Sequence, residues 1–356
     1  MTTGFGHGLR WISFLLYLLP LAGYGEPVQL RLAIDLRDGS RVMGTPAFTN
    51  IVVKSELGRL ELSLTNVVTV AVGEPARAAL VHLRSGDRLK GKLEKGNFEV
   101  HALPGRLSVS VKTVRRVYVL RPGDHPPLVP AGLRDAVVLA LTFEDDYCCD
   151  WSGNARGVRM LRREFDPGGP AGRGLRFTGK KSRVVIPGGK DGQIELSGER
   201  SASFWWKADA KASGYMPTYV EPRRISGDAG VRMEVQMHRV QGQKAPSLTY
   251  ALGRGRGFTS YSQAIRAGEW YHLVLVRLEG KWRLYHDGWP GHASTFGATH
   301  RRPDELPTGT GAILGAAHLY DWHFKGSMDE VLLFNRALTE DEVKALYKLQ
   351  APVVLE

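Results

Sequence analysis

The residues best suited to chemistry are acidic and lie close together in the middle of the sequence. Carboxylate and amide oxygens fall within eleven residues, on Glu144, Asp145, Asp146, Asp150 and Asn154. Calcium binds six to eight hard oxygens in proteins, and backbone carbonyls supply part of that set. The segment therefore predicts a calcium-binding loop. The alternative is turn formation, because Asp and Asn side chains also accept hydrogen bonds from their own backbone.

Aromatic rings mark a second candidate site near the end of the chain. Tyr320, Trp322 and His323 can present ring faces to a sugar, and Asp321 can accept hydrogen bonds from its hydroxyl groups. These residues lie in a polar stretch just before an apolar strand. The segment predicts a carbohydrate-binding loop, and the alternative is that its rings anchor the loop to the domain beneath.

No combination of residues specifies a reaction. The Ser and His residues show neither a nucleophile elbow nor metalloprotease spacing. Asp329 and Glu330 are adjacent acids, and a regular strand directs neighbouring side chains to opposite faces. Cys148 and Cys149, the two cysteines, are also adjacent, so they form neither an unstrained disulfide nor a zinc site by themselves. The sequence predicts a non-catalytic protein without a disulfide framework.

The first residues of the chain indicate export. Arg10 precedes an apolar run that ends near Leu21, and Gly23 and Gly25 supply the small residues of a cleavage site, so residues 1–25 read as a secretory signal. A membrane anchor is the alternative, but the run is shorter than the ~20 residues that cross a bilayer. We expect a secreted, periplasmic or cell-surface protein with no transmembrane span in its mature form.

Composition narrows the fold and the partners. The 356 residues include 42 Gly and 19 Pro, which indicates many turns and short strands and excludes an all-helical protein. The net charge of +12 is spread along the chain and favours acidic partners such as an anionic polysaccharide. Motifs for reading nucleic acid are absent, so we expect no specific nucleic-acid binding.

The elements that must hold these sites begin with a tandem repeat. Residues 30–72 match residues 77–119 at a constant offset of 47. Each copy reads as about four short strands with a turn at Gly39 or Gly86, and it resembles small SH3-like or Sm-like barrels. Two tandem barrels are the favoured arrangement, and one fused sheet is the alternative. Matched arginines form either a repeated basic ligand site or a solvated strand face: Arg37, Arg41, Arg84 and Arg88.

A different pattern follows the repeat. Residues 121–134 are rich in Pro and Gly and predict a linker. From about Val137 the sequence alternates apolar and polar residues, with turns at intervals of around ten, which predicts a β-sandwich or jelly roll. A short helix ends the chain, because Thr339 and Glu342 form a capping box.

Motifs after the linker occur in a recognisable order. They are LTFE at 141–144, DWSGN at 150–154, GLRF at 174–177, VVIP at 184–187, SFWWK at 203–207, WYHLVLV at 270–276, LYHDG at 284–288, ILG at 313–315, FKGSMDEV at 324–331 and NRALT at 335–339. In this order they resemble laminin-G-like (LamG) concanavalin A-type jelly rolls. The resemblance implies a structural calcium near the D-x-S-G-N loop, with Asp329 as an additional ligand. Laminarinase-type hydrolases of this fold carry E-x-D-x-E along one strand, which this sequence lacks.

The sequence therefore predicts an all-β protein in which N-terminal tandem small β-barrels precede a concanavalin A-like β-sandwich with a short C-terminal helix. Its segments are a signal peptide (1–25), two repeats (26–73 and 74–120), a linker (121–134) and the jelly roll (135–349). We expect an exported, non-catalytic protein that recognises carbohydrate or an extracellular or cell-envelope partner. The alternatives are a cell-envelope scaffold and, next, a polysaccharide-active enzyme of the same fold.

Overall fold

In the computed structural model most of the described residues lie in β-strands. The described residues are 29–73, 77–122, 124–144, 150–154, 158–162, 164–179, 182–186, 200–209, 218–222, 233–238, 247–252, 258–264, 266–279, 281–291, 312–315 and 324–351. They confirm the all-β class, the C-terminal sandwich and the short C-terminal helix. The predicted signal peptide lies outside this part of the chain.

Ten antiparallel strands build the N-terminal sheet. They are β1 Arg31–Leu36, β2 Arg41–Pro46, β3 Asn50–Ser55, β4 Gly58–Ser63, β5 Val67–Val72, β6 Ala78–Leu83, β7 Arg88–Leu93, β8 Asn97–Ala102, β9 Gly105–Ser110 and β10 Val114–Leu120. Their order across the sheet is β4-β3-β7-β6-β5-β10-β1-β2-β8-β9. The first repeat supplies β1 to β5 and the second supplies β6 to β10.

The two repeats exchange hairpins. The β3–β4 hairpin of the first copy pairs with β7 of the second, where Val53 faces Leu93. The β8–β9 hairpin of the second copy pairs with β2 of the first, where Thr45 faces His101. The strand order is therefore symmetric about the β5–β10 pair. The repeats form one fused, curled sheet with a common apolar core, and not the two separate barrels that we favoured.

Matched glycines make this exchange possible. A Cβ atom at Gly44 would lie 2.5 Å from the carbonyl oxygen of His101, and one at Gly91 would lie 2.5 Å from that of Lys54. In both copies the glycine faces the hairpin that comes from the other copy. The repeat keeps glycine here because a side chain would push that hairpin out of pairing distance.

Two of the matched arginines hold the sheet together. The Nη2 atom of Arg37 donates to the carbonyl oxygen of Val72 at 3.2 Å, and that of Arg84 donates to the carbonyl oxygen of Val119 at 3.0 Å. The two contacts are the same in each repeat. Arg84 also forms a buried ion pair with Asp124, at 3.2 Å. These guanidinium groups therefore bind the protein's own carbonyl groups at the last strand of each repeat.

The C-terminal sandwich contains two further antiparallel sheets. One sheet has the order β13-β14-β25-β16-β21-β22-β23, with β11 beside β25, and the other has the order β12-β15-β24-β17-β18-β19-β20. Apolar side chains of both sheets meet in one core. The strands are β11 Val137–Leu141, β12 Arg159–Leu161, β13 Glu164–Gly169, β14 Gly172–Thr178, β15 Arg183–Ile186, β16 Arg200–Ala208, β17 Thr218–Pro222, β18 Met233–His238, β19 Ser247–Leu252, β20 Phe258–Ala264, β21 Trp270–Leu278, β22 Lys281–His286, β23 Trp289–Pro290, β24 Ala312–Leu314 and β25 Lys325–Phe334.

Helix α1, Glu340–Gln350, follows β25 and begins as predicted. The backbone N–H of Glu342 donates to Thr339 Oγ1 at 3.3 Å, and the backbone N–H of Thr339 donates to the Glu342 carboxylate at 2.9 Å. The predicted capping box is therefore confirmed. With 11 residues, α1 is too short to cross a membrane, and the other described helices are shorter still.

A third apolar cluster joins the two halves. Trp151 is fully buried and stacks on Tyr118 of the N-terminal sheet, with ring centroids 6.3 Å apart. Val129 and Leu133, from the segment that we predicted to be a linker, are buried in the same cluster. Gln350 of α1 donates to the carbonyl oxygen of Leu128 at 3.0 Å. The halves of the molecule thus share a core, and residues 124–134 contribute to it.

Candidate functional site

A β-bulge in β25 re-aims two acids. Leu332 of β25 pairs with Ser203 of β16, and Asp329 pairs with Trp205. Between these two pairs β25 has one residue more than β16, which is the definition of a β-bulge. Glu330 lies in this bulge with φ of +47°, a left-handed conformation that is uncommon outside glycine. Asp329 and Glu330 are both fully buried. The expectation that a regular strand separates these two acids is wrong, because the strand is irregular at this point.

Glu144 joins these acids from the end of β11. Its Oε1 atom accepts a hydrogen bond from the backbone N–H of Arg173 at 2.8 Å, and Asp329 Oδ2 accepts one from the N–H of Ala171 at 3.4 Å. Both donors belong to the β13–β14 hairpin. A Cβ atom at Gly169 would lie 2.6 Å from Asp329 Oδ2, so the hairpin covers the carboxylates only because it has glycine there. We call Glu144, Asp329 and Glu330 the acidic cluster.

His125, from the segment between the two halves, enters the acidic cluster. Its Nε2 atom lies 2.6 Å from the carbonyl oxygen of Ala171, 3.6 Å from Glu144 Oε1 and 3.9 Å from Glu330 Oε1. Its Nδ1 atom lies 3.0 Å from the carbonyl oxygen of Pro126. With oxygen atoms facing both ring nitrogens, the doubly protonated imidazolium is the form of His125 that fits this environment.

The electrostatics of the cluster agree with that assignment. Burial lowers the pKa of His125, but its contact with Glu144 and the charge of Glu330 outweigh this effect and raise that pKa to about 10. Burial raises the pKa of Glu330 to about 7, although the His125 charge opposes the rise. Burial and the Glu330 charge raise the pKa of Asp329 well above its usual range. The cluster therefore holds fewer negative charges than it has carboxyl groups.

The predicted calcium ligands do not all meet in this place. Glu144 and Asp329 lie in the acidic cluster, whereas Asp145 and Asp146 lie outside the described residues. Asp150 Oδ1 accepts hydrogen bonds from the backbone N–H groups of Ala140 and Ser152, at 3.1 and 2.9 Å. The Asn154 side chain donates to the carbonyl oxygen of Val138 at 2.9 Å. Asp150 and Asn154 thus fasten the D-x-S-G-N loop to β11, and the Asp150–Ser152 contact is the local one that the turn alternative describes.

The donor set of the acidic cluster can be compared with what calcium requires. The cluster offers carboxylate oxygens and the Ala171 carbonyl, which are hard donors of the right kind. The position on which these oxygens converge is, however, taken by the His125 ring. Across the described ranges, no group of three His, Cys, Asp or Glu side chains is arranged to hold a metal ion. With His125 in place, the cluster does not fit a calcium ion.

The predicted sugar-binding residues Tyr320, Asp321, Trp322 and His323 lie outside the described residues. A different aromatic side chain is exposed on the described surface of the sandwich. Trp289, at the start of β23, has 67% of its surface accessible to solvent. It directly follows a two-residue turn in which Asp287 and Gly288 have φ of +49° and +82°, as in a type I′ hairpin.

Three candidate functional residues were not predicted from the sequence, and only Trp289 had a local signal. His125 lies in a Pro-rich segment with no partner nearby in sequence. The convergence of Glu330 with Asp329 was not predicted, because a bulge cannot be recognised from the alternation of side chains alone. Trp289 directly follows Asp287-Gly288, a dipeptide that favours a type I′ hairpin turn, so its position beside a surface turn was the available signal.

The C-terminal domain is thus a jelly-roll sandwich with a buried acidic cluster beneath one hairpin and an exposed ring on another. Residues 178–344 match the sequence model of the concanavalin A-like lectin/glucanases superfamily (Laminin_G_3). This match confirms the resemblance of the C-terminal sandwich to laminin-G-like domains of the concanavalin A-like superfamily. The family match does not reach the N-terminal sheet.

Solved structures give similar folds at low identity. Domain 4 of AbnA, a GH43 extracellular arabinanase from Geobacillus stearothermophilus in complex with arabinotriose, is 18% identical over 59% of this chain and 98% of that one, with a TM-score of 0.45. The botulinum neurotoxin serotype D ligand binding domain in complex with N-acetylneuraminic acid is 15% identical over 61% of this chain and 52% of that one, with a TM-score of 0.44.

The binding domain of Paraclostridial Mosquitocidal Protein 1 is 15% identical over 60% of this chain and 52% of that one, with a TM-score of 0.43. The chain thus spans about half the length of the two toxin domains. No match is found among curated protein sequences.

Proposed function

We propose that this protein is an exported, non-catalytic protein that binds carbohydrate through its laminin-G-like domain. The observation that carries the proposal is Trp289, a large ring exposed on a hairpin of a concanavalin A-like sandwich. A pyranose stacks on such a ring through its C–H groups, while polar neighbours bind its hydroxyl groups. The Tyr320 to His323 loop remains a predicted second contact for the same ligand.

The surroundings of Trp289 suit a polar ligand. The Nζ atom of Lys344 lies 5.3 Å from the centroid of the Trp289 ring, and Glu340 fixes this ammonium group at 2.6 Å. A Cβ atom at Gly288 would lie 3.1 Å from the Tyr347 ring, so the hairpin packs closely on α1. The exposed ring therefore has charged groups of both signs beside it.

Two features support the non-catalytic and exported parts of the proposal. The acids that converge in the sandwich are buried under the β13–β14 hairpin and His125, so a polysaccharide has no path to them through the described surface. The sequence of residues 1–25 has the three regions of a secretory signal. Together these features favour a binding protein that acts outside the cytoplasm or at the cell envelope.

A glycan titration tests the proposal. Wild type, Trp289→Ala and Trp322→Ala are titrated with neutral and acidic oligosaccharides at two salt concentrations, and Leu103→Ala, an exposed apolar residue on the N-terminal sheet, is the matched control. We expect Trp289→Ala to weaken binding about tenfold, equal to about 1.4 kcal/mol, and Leu103→Ala to leave it unchanged.

Salt separates the two contributions to binding. Stacking on a ring is insensitive to salt, whereas attraction between the basic surface and an acidic polysaccharide weakens above physiological ionic strength. Equal affinities of wild type and both Trp variants for every glycan would remove these rings from the site. Absence of binding to any glycan would favour a cell-envelope scaffold instead.

A further inference from the structure

We propose that His125 acts as a built-in cation: its imidazole ring occupies a divalent-cation pocket of the laminin-G-like domain and thereby replaces a metal ion. The pocket consists of the acidic cluster and the carbonyl oxygen of Ala171. In the proposed arrangement the folded chain needs no calcium at this position, because it supplies the positive group itself. The proposal is independent of any sugar that the domain binds.

Oxygen atoms converge on the ring from different parts of the chain. Three oxygens from three separate segments face one nitrogen: the Ala171 carbonyl oxygen at 2.6 Å, Glu144 Oε1 at 3.6 Å and Glu330 Oε1 at 3.9 Å from Nε2. These donors come from the β13–β14 hairpin, the end of β11 and the bulge of β25. Hard oxygens that converge from distant parts of a chain are typical of a site for a positively charged group.

Glu330 gives independent support for a cation at this point. Its side chain is fully buried, and among the described residues its carboxylate has no hydrogen bond of ideal geometry, the backbone N–H of Leu128 being the donor that acts on it. The backbone at Glu330 adopts φ of +47° to direct the side chain here. A buried carboxylate on a strained backbone, with so little hydrogen bonding, is costly unless a positive charge faces it, and His125 provides that charge.

The position of His125 in the chain gives this replacement a structural consequence. The preceding residue, Asp124, forms the buried ion pair with Arg84 of the N-terminal sheet at 3.2 Å. Three residues after His125, the carbonyl group of Leu128 accepts a hydrogen bond from Gln350 of α1. A metal ion would close only the sandwich, whereas His125 also ties the sandwich to the segment that leads from the N-terminal sheet.

Thermal unfolding of the full chain in EDTA and in millimolar calcium chloride tests the replacement. We expect the same Tm for wild type in both conditions. His125→Ala removes the internal cation, so its Tm should fall in EDTA and rise by several degrees when calcium fills the vacated pocket. Calorimetric titration with calcium chloride should show one site in His125→Ala and none at this position in wild type.

Further variants keep the result decisive. His101→Ala, on the exposed surface of β8, is the matched histidine control and should behave as wild type. His125→Lys keeps a positive group in the pocket, so it should fold without responding to calcium even if His125→Ala proves insoluble. Adding Glu330→Gln to His125→Ala should weaken the gained calcium site by removing one charged ligand. A wild-type Tm that rises with calcium, or a His125→Lys variant that calcium stabilises, would overturn the proposal.

Discussion

The two halves of the protein handle buried charge differently. In the N-terminal sheet, Arg41 Nε lies 2.6 Å from an oxygen of buried Asp35, and Arg84 pairs with Asp124 at 3.2 Å, so each of these buried charges faces one of opposite sign. In the sandwich, Glu144 and Glu330 face a single histidine, and Asp329 is buried beside them. Like charges in a low-dielectric interior repel, so such an arrangement persists only where the surrounding structure enforces it. The acidic cluster is therefore the place where buried charges are not matched one to one.

The halves also differ in how they close. The N-terminal sheet gains its symmetry from local hairpins that are exchanged between adjacent repeats. The sandwich closes by pairing the first strand after the linker, β11, with the last one, β25. The shared cluster around Trp151 then joins the sheet of exchanged hairpins to the sandwich. We therefore expect cooperative unfolding of the whole molecule to depend on this cluster.

The largest expected effect tests that dependence. Trp151→Ala removes a fully buried ring that stacks on Tyr118, and truncation of a buried Trp costs about 3–5 kcal/mol. Urea unfolding followed by tryptophan fluorescence and circular dichroism should show lower stability and transitions that separate into two. Trp289→Ala, at an exposed ring, should change stability by less than about 0.5 kcal/mol. A single, unshifted transition in Trp151→Ala would show that the halves do not depend on a common core.

The next effect concerns hairpin exchange within the sheet. Gly91→Ala places a Cβ atom 2.5 Å from the carbonyl oxygen of Lys54, so β3 must move away from β7. Forcing extra atoms into a packed position typically costs about 1–3 kcal/mol. Gly132→Ala is the control, because a Cβ atom there meets nothing within 4 Å. Equal melting temperatures for the two variants would argue against the tight crossing of β3 and β7.

These comparisons also show what the sequence could predict. The capping box at Thr339 and Glu342 was predictable because both partners lie within one helical turn. The strand motifs of the sandwich were predictable because apolar alternation is a local property. Gly44 and Gly91 occupy matching positions at the repeat offset of 47, but the reason for them, close contact with a hairpin of the other copy, depends on distant segments.

What the sequence could not predict depends on contacts between distant segments. A β3–β4 hairpin satisfies its hydrogen bonds equally well in its own repeat or in the other one, so the pattern did not decide between separate barrels and a fused sheet. The bulge at Glu330 changes the direction of one side chain without changing the apolar pattern of β25. His125 reaches the acidic cluster only through the path of residues 124–134, which no periodicity describes.

A smaller effect distinguishes a structural role of Asp150 from a metal-binding role. Asp150→Ala deprives the backbone N–H groups of Ala140 and Ser152 of their acceptor, and unpaired buried donors cost about 1–3 kcal/mol. We expect the stability loss to be the same in EDTA and in calcium, as measured by chemical unfolding. Asp38→Ala, at an exposed turn, is a control for removal of one negative charge. If wild type were stabilised by calcium and Asp150→Ala were not, Asp150 would be a metal ligand.

The smallest effect comes from another buried histidine of the sandwich. His272 is completely buried, with its Nε2 atom 2.8 Å from Ser203 Oγ, and burial lowers its pKa from 6.5 to about 3. Between these two values the unfolded chain binds a proton that the folded chain does not. Stability must therefore fall as the pH decreases through 6.5, and the loss continues until the pH approaches 3. From pH 7.5 to pH 5.5 this histidine alone should cost roughly 1 kcal/mol.

Other groups titrate over the same range, and the rise in the pKa of Glu330 acts in the opposite direction. The measurement is therefore the difference in unfolding free energy between wild type and His272→Gln at each pH, since Gln can keep a hydrogen bond to Ser203 but does not titrate. That difference should shrink steadily as the solution becomes more acidic. A difference that stays constant from pH 7.5 to pH 5.5 would mean that His272 is protonated within the folded sandwich, which would contradict its assignment as a neutral, hydrogen-bonded core residue.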